Sequence, residues 1–314
     1  MNFQGLSKIE KPDIYLDMAF KRANKDAGEV RAGVKGKGRV EKSRKVEIAK
    51  LDAVKKVLYK QLSIIIQSFP SMDDLPEYYK ELVKCFLDYN SIKLSLSKIQ
   101  WSFTKIGQLC GAYSVKIKKC QHVKKINVYR NECYGRVASV VKGIKNQLAY
   151  VEQARKIMLR FPSVKTAMPT VVITGFPNVG KTTLLSKLTG AKAEIKSYAF
   201  TTKGINIGYF DNKRVQVIDT PGSLNRFNQM NAIEKQAYLT IKYCADLIIY
   251  VFDLTEASYP IPEQEKLHKN IKKFDKPMVV YLSKTDRMKE VKCKYKNYTL
   301  EEIKQKLKKL SFQH

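Results

Sequence analysis

The sequence predicts two domains, an all-α bundle followed by an α/β domain with a doubly wound sheet. Three observations predict this. Apolar residues recur at helical spacing through most of residues 51–151, strand-like apolar runs alternate with helical stretches from Thr170 onward, and Pro162 and Pro169 interrupt the helical pattern between the two regions. A chain of 314 residues also exceeds what one core usually serves. The bundle is assigned residues 1–168 and the α/β domain residues 169–314.

In chain order, Met1–Ala19 lacks the apolar stretch of a signal peptide. Arg31 to Arg39, with Lys42, Arg44 and Lys45, is glycine-spaced and reads as a basic arm too polar to fold by itself. Leu51, Val54, Leu58, Leu62 and Ile65 predict a long helix, and Leu75–Phe86 a shorter one opened by Pro76. The longest seam is Ile92, Leu96, Ile99, Phe103, Ile106, Cys110, Tyr113 and Ile117, alternating spacings of four and three as in a helix packed lengthwise against others. A further seam runs through Cys133, Val137, Val140, Ile144, Leu148 and Val151. Together these predict three or four long bundle helices. Lys98, Lys105 and Lys119 stay off their seam at multiples of seven residues, so they line one exposed stripe able to follow a phosphate backbone. Trp101 and Tyr113 could stack on bases, but their spacing favours core positions.

Charge points to an anionic partner. The chain has 59 Lys and Arg against 29 Asp and Glu, a formal charge of +30. Residues 1–170 hold 34 basic and 15 acidic side chains, residues 171–314 hold 25 and 14, and none of the acidic ones falls between Tyr89 and Asn131. A one-signed run this long has no balancing neighbours, which favours RNA over a merely solvated face, and no apolar run approaches the roughly 18 residues of a membrane span. The six cysteines form no CxxC pair and read as reduced core thiols of a cytoplasmic protein, and the three histidines are too scattered for a metal site.

In the α/β domain, the apolar run Thr170–Thr174 leads into Gly175-Phe176-Pro177-Asn178-Val179-Gly180-Lys181-Thr182, followed by Thr183 and then Leu184, Leu185 and Leu188 at helical spacing. A GxxxxGK[ST] string between strand and helix is the context of a phosphate-binding loop. Its glycines let successive amide N–H groups point inward at phosphate oxygens, assisted by the helix dipole. Lys181 would reach the β/γ-phosphates and the Thr182 hydroxyl would ligate Mg²⁺. A second run, Val215–Ile218, ends in Asp219-Thr220-Pro221-Gly222, where the carboxylate would hold Mg²⁺ and Gly222 would offer its N–H to a γ-phosphate, making the following loop a two-state switch. Between them, Thr201 and Thr202 supply two hydroxyls, either of which could complete the metal shell. The runs Asp246–Asp253 and Pro277–Leu282 precede Ser283-Lys284-Thr285-Asp286, where Asp286 would accept two hydrogen bonds from guanine and the Lys284 stem would pack over the base. Adenine lacks those donors, so GTP and GDP are favoured over ATP. Leu300, Ile303, Leu307 and Leu310 mark a basic amphipathic tail helix that packs rather than binds membrane.

These strings, with the Tyr198–Gly204 segment and Asn231-Ala-Ile-Glu-x-Gln-Ala237, resemble the Obg superfamily of GTPases, and within it the nucleolar GTP-binding protein branch in its archaeal form. The motif match covers residues 170–286. The resemblance implies a Ras-like P-loop GTPase domain, GTP hydrolysis and a monomeric switch in assembly of the large ribosomal subunit through ribosomal RNA. It also implies departures. Ser283 stands where the family usually has asparagine; no Ser-Ala-Lys-type segment follows Asp286, so the last strand and helix are expected to be missing. Ser223 and Leu224 stand where a water-orienting glutamine would follow Gly222, so turnover is expected to be slow. Asn178 resembles the residue that holds K⁺ in K⁺-dependent relatives, which places it with Lys181 and Thr202 in the catalytic set. The alternative reading is a weakly catalytic, nucleotide-binding RNA scaffold.

Overall fold

A computed structural model describes residues 3–34, 38–190, 205–221, 230–257, 259–287 and 293–312. They cluster into two compact units, one of Gln4–Asp74 with Leu87–Leu159, the other of Met1–Phe3, Leu75–Phe86 and Arg160–His314.

The first unit is a bundle of α1 (Pro12–Gly33), α2 (Arg39–Ser68), α4 (Tyr89–Lys119), α5 (Val123–Gly143) and α6 (Lys145–Met158); the intervening α3 (Glu77–Phe86) belongs to the second unit. The α4 seam is where its spacing put it, with Ile92, Ile99, Ile106, Cys110, Tyr113 and Ile117 buried and Leu96 and Phe103 half-buried. Trp101 departs from expectation: 54% exposed, it lies off the seam. Position 101 sits two residues past Ile99 and five before Ile106, which at about 100° per residue sets it about 160° and 140° around the helix from those two seam residues. The seam expected through Val140 breaks after Gly143; α5 buries Cys133, Val137 and Val141 at strict four-residue steps, and Ile144 caps it before α6 restarts. The basic arm is also corrected in part. Arg31 closes α1 and Arg39 opens α2, and Arg44 bonds the Cys120 carbonyl at 2.8 Å and Gln121 Oε1 at 2.7 Å, tying α2 to the α4–α5 turn. The arm's residues 35–37 lie outside the described residues.

The second unit is built on a five-stranded sheet of order β2-β3-β1-β4-β5, from β1 (Thr170–Thr174), β2 (Asn206–Phe210), β3 (Val215–Asp219), β4 (Leu247–Asp253) and β5 (Met278–Ser283). β2 runs antiparallel to β3, and every other pair is parallel. This is the Ras-like P-loop architecture. Its central strands are buried throughout, as near-continuous apolar runs flanked by helices demand. α7 (Lys181–Thr189) and α10 (Leu300–Ser311) share one core cluster, where Leu184, Leu185, Leu188, Ile303 and Leu307 meet Val171, Val217 and Ile249. The last helix expected to be missing is therefore present, started by a capping box between Thr299 and Glu302. Of a sixth strand, the described residues show one bridge, with Tyr298 N–H donating to the Val280 carbonyl at 2.9 Å beside the Val280–Asn297 pairing.

α8 (Ala232–Cys244) begins in a second capping box, Asn231 with Glu234. Tyr78 of α3 reaches Thr240 of α8, their hydroxyls 3.0 Å apart, while Tyr79 OH donates to the Pro162 and Val164 carbonyls at 3.0 and 2.8 Å. α9 (Ile261–Lys272) covers β4. Among the described residues no helix is long and apolar enough to cross a membrane, and no group of three or more His, Cys, Asp or Glu could hold a metal. Cys110, Cys120, Cys133 and Cys244 are buried; Cys85 and Cys293 are half-buried.

Candidate functional site

The loop between β1 and α7 owes its curl to three residues with positive φ, Gly175 at 146°, Asn178 at 63° and Gly180 at 96°. At Gly175 glycine is obligatory, since a Cβ there would meet the Val251 carbonyl oxygen of β4 at 2.6 Å. Gly180 is the N-cap of α7, so Lys181 and Thr182 open the helix and their backbone N–H groups lie at its positive end. Phe176 packs its ring on Tyr259, with centroids 4.4 Å apart, and Pro177 is half-buried; Val179 is buried under the loop, while Asn178, Thr182 and Thr183 face solvent.

Lys181 is 8% exposed and donates from Nζ to the Phe176 carbonyl at 2.7 Å. Burial lowers its pKa from the ordinary 10.5, against the opposing pull of Asp219. Asp219, at the tip of β3 and 4% exposed, accepts from Thr182 Oγ1 at 2.7 Å and from Asn206 Nδ2 at 3.3 Å, both on Oδ2. Its Oδ1 is buried with no hydrogen-bond partner among the described residues. Burial raises the Asp219 pKa, opposed by the Thr182 bond, the Lys181 charge and the Asn206 bond. A buried carboxylate oxygen without a partner, beside a threonine hydroxyl, is a hard-oxygen donor set, and it fits Mg²⁺. Thr220 is fixed by its own hydroxyl, which donates to the Ile173 carbonyl at 2.9 Å, and Pro221 follows half-buried. Thr201, Thr202, Gly222, Ser223 and Leu224 lie outside the described residues.

At the other end of the site, Ser283 closes β5 directly against the loop. A Cβ on Gly180 would sit 3.5 Å from its Cβ, and its hydroxyl donates to the Phe252 carbonyl at 3.0 Å. Lys284 has φ of 56° and gives its ammonium to Asp253 Oδ2 at 2.6 Å. Asp253, paired in register with Ser283, is fully buried and accepts on Oδ1 from Thr255 N–H at 3.1 Å and the Thr255 hydroxyl at 2.5 Å. Burial pushes its pKa up, but the bonds from Lys284 and Thr255 outweigh it, so the carboxyl lies below its usual range. Gln264 fixes the same turn: Asp253 N–H donates to its Oε1 at 2.9 Å, and its Nε2 donates to the Asp253 and Tyr259 carbonyls, each at 2.8 Å. Asp286 is exposed on the short turn Thr285–Arg287.

The described residues thus bring the phosphate loop, Asp219 and Ser283-Lys284 to the C-terminal ends of β1, β3 and β5, where open α/β sheets bind ligands. Sequence patterns missed Asn206, Asp253, Thr255 and Gln264. Asp253 carried a signal, an acidic residue ending an apolar strand, but its meaning depends on the register that sets it beside Ser283. Asn206 carried none.

The Asp253–Lys284 pair leads to a prediction. Asp253→Asn leaves the Lys284 stem without its anchor, and loss of a charge-assisted bond of this kind is expected to weaken GDP and GTP binding by about tenfold. Competition titration against ATP checks it: guanine-nucleotide affinity should fall toward ATP affinity. Because the folded carboxyl has a lowered pKa, the pair stabilises the fold above the usual carboxylate range and is lost as pH falls through the folded value.

Comparison with known proteins follows the same division of the chain. The family described as NOG1 N-terminal helical domain matches residues 3–165, and the family described as 50S ribosome-binding GTPase matches residues 170–284. An uncharacterised protein of Methanocaldococcus jannaschii is 38% identical over 295 residues, covering 93% of this chain and 83% of that protein. Nucleolar GTP-binding protein 1 of Drosophila melanogaster is 30% identical over 297 residues, covering 91% of this chain and 44% of that protein. A solved structure of a nucleolar GTP-binding protein 1 from Plasmodium falciparum is 29% identical, covers 48% of this chain and 75% of that chain, and superposes with a TM-score of 0.36. The chain therefore spans most of the archaeal relative and less than half of the fly protein.

Proposed function

We propose, from the premise that this chain belongs to the family of nucleolar GTP-binding protein 1, with its NOG1 N-terminal helical domain and its GTPase domain, that it is a GTP-hydrolysing switch in assembly of the large ribosomal subunit. It works as a cytoplasmic monomer that meets ribosomal RNA through its basic bundle. The observation that carries the nucleotide half is the junction at α7, where Lys181 opens the helix and Thr182 bonds Asp219 beneath an unpartnered carboxylate oxygen. The family descriptions and the charge of the bundle support the ribosomal half.

On this reading the amides from Gly175 to Thr183 surround the phosphates, and Lys181 turns from the Phe176 carbonyl to the β/γ-phosphates. Thr182 and Asp219 would hold Mg²⁺, with Thr201 or Thr202 offering a further hydroxyl, and Gly222 would offer its N–H to a γ-phosphate. Mg²⁺ supplies charge neutralisation at the phosphate oxygens. Lys284, held by Asp253, lays its stem over guanine while Asp286 accepts from the ring. Water attacks the γ-phosphorus directly, with no covalent enzyme intermediate. Ser223 is too short to orient that water as a glutamine would, which makes intrinsic turnover slow. Asn178 would instead help hold a K⁺ ion, so GTPase turnover measured in KCl should exceed that in NaCl by about a hundredfold, the low end of what one charge-stabilising contact in the transition state supplies. Equal rates in the two salts, with and without RNA, remove K⁺ from the mechanism.

A second reading, a weakly catalytic nucleotide-binding scaffold, is favoured by the Ser283 hydroxyl being engaged with the Phe252 carbonyl and by the absence of a Ser-Ala-Lys-type segment after Asp286. GDP and GTP affinity together with turnover, with and without large-subunit particles, separates the two. A switch accelerates on the particle; a scaffold binds there and stays slow.

A further inference from the structure

The face of α4 turned away from the bundle core is built unlike an ordinary solvated surface. At alternating spacings of four and three it places Leu94, Lys98, Trp101 and Lys105, and at the same period farther on Val115 and Lys119. Leu94 is 70% exposed, Trp101 54% and Val115 51%. The stripe spans about 37 Å along the helix. Among the described residues Lys98, Lys105 and Lys119 take part in no ion pair, in contrast to Lys93, which binds Asp73 at 2.7 Å. The sequence around them, Tyr89 to Asn131, contains no carboxylate.

We propose that this face of α4 binds an unpaired stretch of RNA, with Trp101 stacked on a base and Lys98, Lys105 and Lys119 on the phosphates. The inference deepens the ribosomal-RNA half of the function proposed above and rests on it. An exposed aromatic side chain flanked along the helix by cationic ones, as Trp101 is by Lys98 and the half-buried Lys105, is what single-stranded nucleic acid selects, because every unpaired base offers a π-face and every phosphate a charge. A duplex fits poorly. Its bases are already stacked on one another, and a side chain standing out from a convex helix has no base face to meet there. An anionic membrane also fits poorly, since an interfacial helix needs a continuous apolar face, and α4 has given that face to the bundle seam.

Trp101 is the only tryptophan in the chain, so its fluorescence reports the proposed contact directly. The full chain is titrated with a single-stranded oligoribonucleotide of about twelve nucleotides, with the same sequence as a blunt duplex, and with phosphatidylserine vesicles. The single strand is expected to quench Trp101 emission saturably, more tightly than the duplex, and the vesicles to leave it unchanged. Trp101→Ala should weaken single-strand binding by roughly tenfold, while Trp101→Phe retains most of it. Changing Lys98, Lys105 and Lys119 to Gln should reduce the salt slope of log affinity by about two. Single-stranded RNA bound with unaltered emission, an equal response to the duplex, quenching by the vesicles, or wild-type affinity in Trp101→Ala each overturns the proposal. Binding of RNA without quenching leaves the assembly role standing and removes only this surface; absence of any RNA binding removes both. GTP affinity of Trp101→Ala, expected to be unchanged, keeps the nucleotide site separate from either result.

Discussion

Lys181→Met is expected to lower GDP and GTP affinity by about a hundredfold or more while raising the melting temperature of the nucleotide-free chain by a few degrees. The affinity loss follows from removing a desolvated cation that bonds phosphate, a charge-assisted contact worth about 3 kcal/mol. The opposite sign for stability follows from burial. Lys181 is nearly enclosed and its pKa is lowered, first by desolvation, so folding strains its proton rather than holding it. That cost is full below the folded pKa and disappears as pH rises toward the ordinary 10.5, so the wild type should gain stability relative to the variant across that interval. Methionine keeps most of the stem's volume and removes the charge. Calorimetric titration and thermal unfolding between pH 7 and pH 10 check both halves. A variant that binds normally displaces the site from Lys181; one that loses affinity and melts lower makes Lys181 a structural residue.

Gly175→Ala is expected to cost about 3 kcal/mol or more of stability and to abolish nucleotide binding. Two terms act together. A φ of 146° is strained for any residue with a Cβ, and the new methyl would lie 2.6 Å from the Val251 carbonyl oxygen, a backbone atom in the middle of the sheet that cannot swing aside. Gly190→Ala separates them. It shares a positive φ, 81°, but no described residue lies within 4 Å of the added carbon, so the strain of about 1–2 kcal/mol is the expected cost and the phosphate loop is untouched. Urea unfolding of the two variants, with GDP affinity for each, checks the contrast; equal losses would mean that the approach of β4 to the loop does not constrain it.

Much of the site was legible because its chemistry is local. Gly175 to Thr182 lies within one turn of chain, and the residue types that curl amides around phosphate also fix the backbone, so pattern and geometry coincide. Asp253 was illegible for the opposite reason: its partner Lys284 is 31 residues away, and only the parallel register of β4 on β5 sets them side by side. In the bundle, bulky apolar seams announced α2 and α4, whereas α1 buries Tyr15, Leu16, Ala19, Ala23 and Ala27. Alanines at four-residue steps let helices approach closely without producing an apolar periodicity strong enough to read. The α5–α6 break was hidden because Gly143 and Ile144 interrupt the helix while barely shifting the seam's phase. Trp101 was misread because it was counted at seam spacing, whereas its place two residues past Ile99 turns it to the opposite side of α4 and into solvent. The closing helix was obscured by the segment before it, of which the described residues Asn297 and Tyr298 pair with Val280.

In the proposed function, one curled loop ahead of Lys181 holds a guanine nucleotide. The decisive experiment is isothermal titration of the full chain with GDP, and with a non-hydrolysable GTP analogue, in the presence of Mg²⁺. Saturable binding of both, with ATP at least about tenfold weaker, is the predicted result. No heat from either nucleotide at millimolar concentration would contradict it.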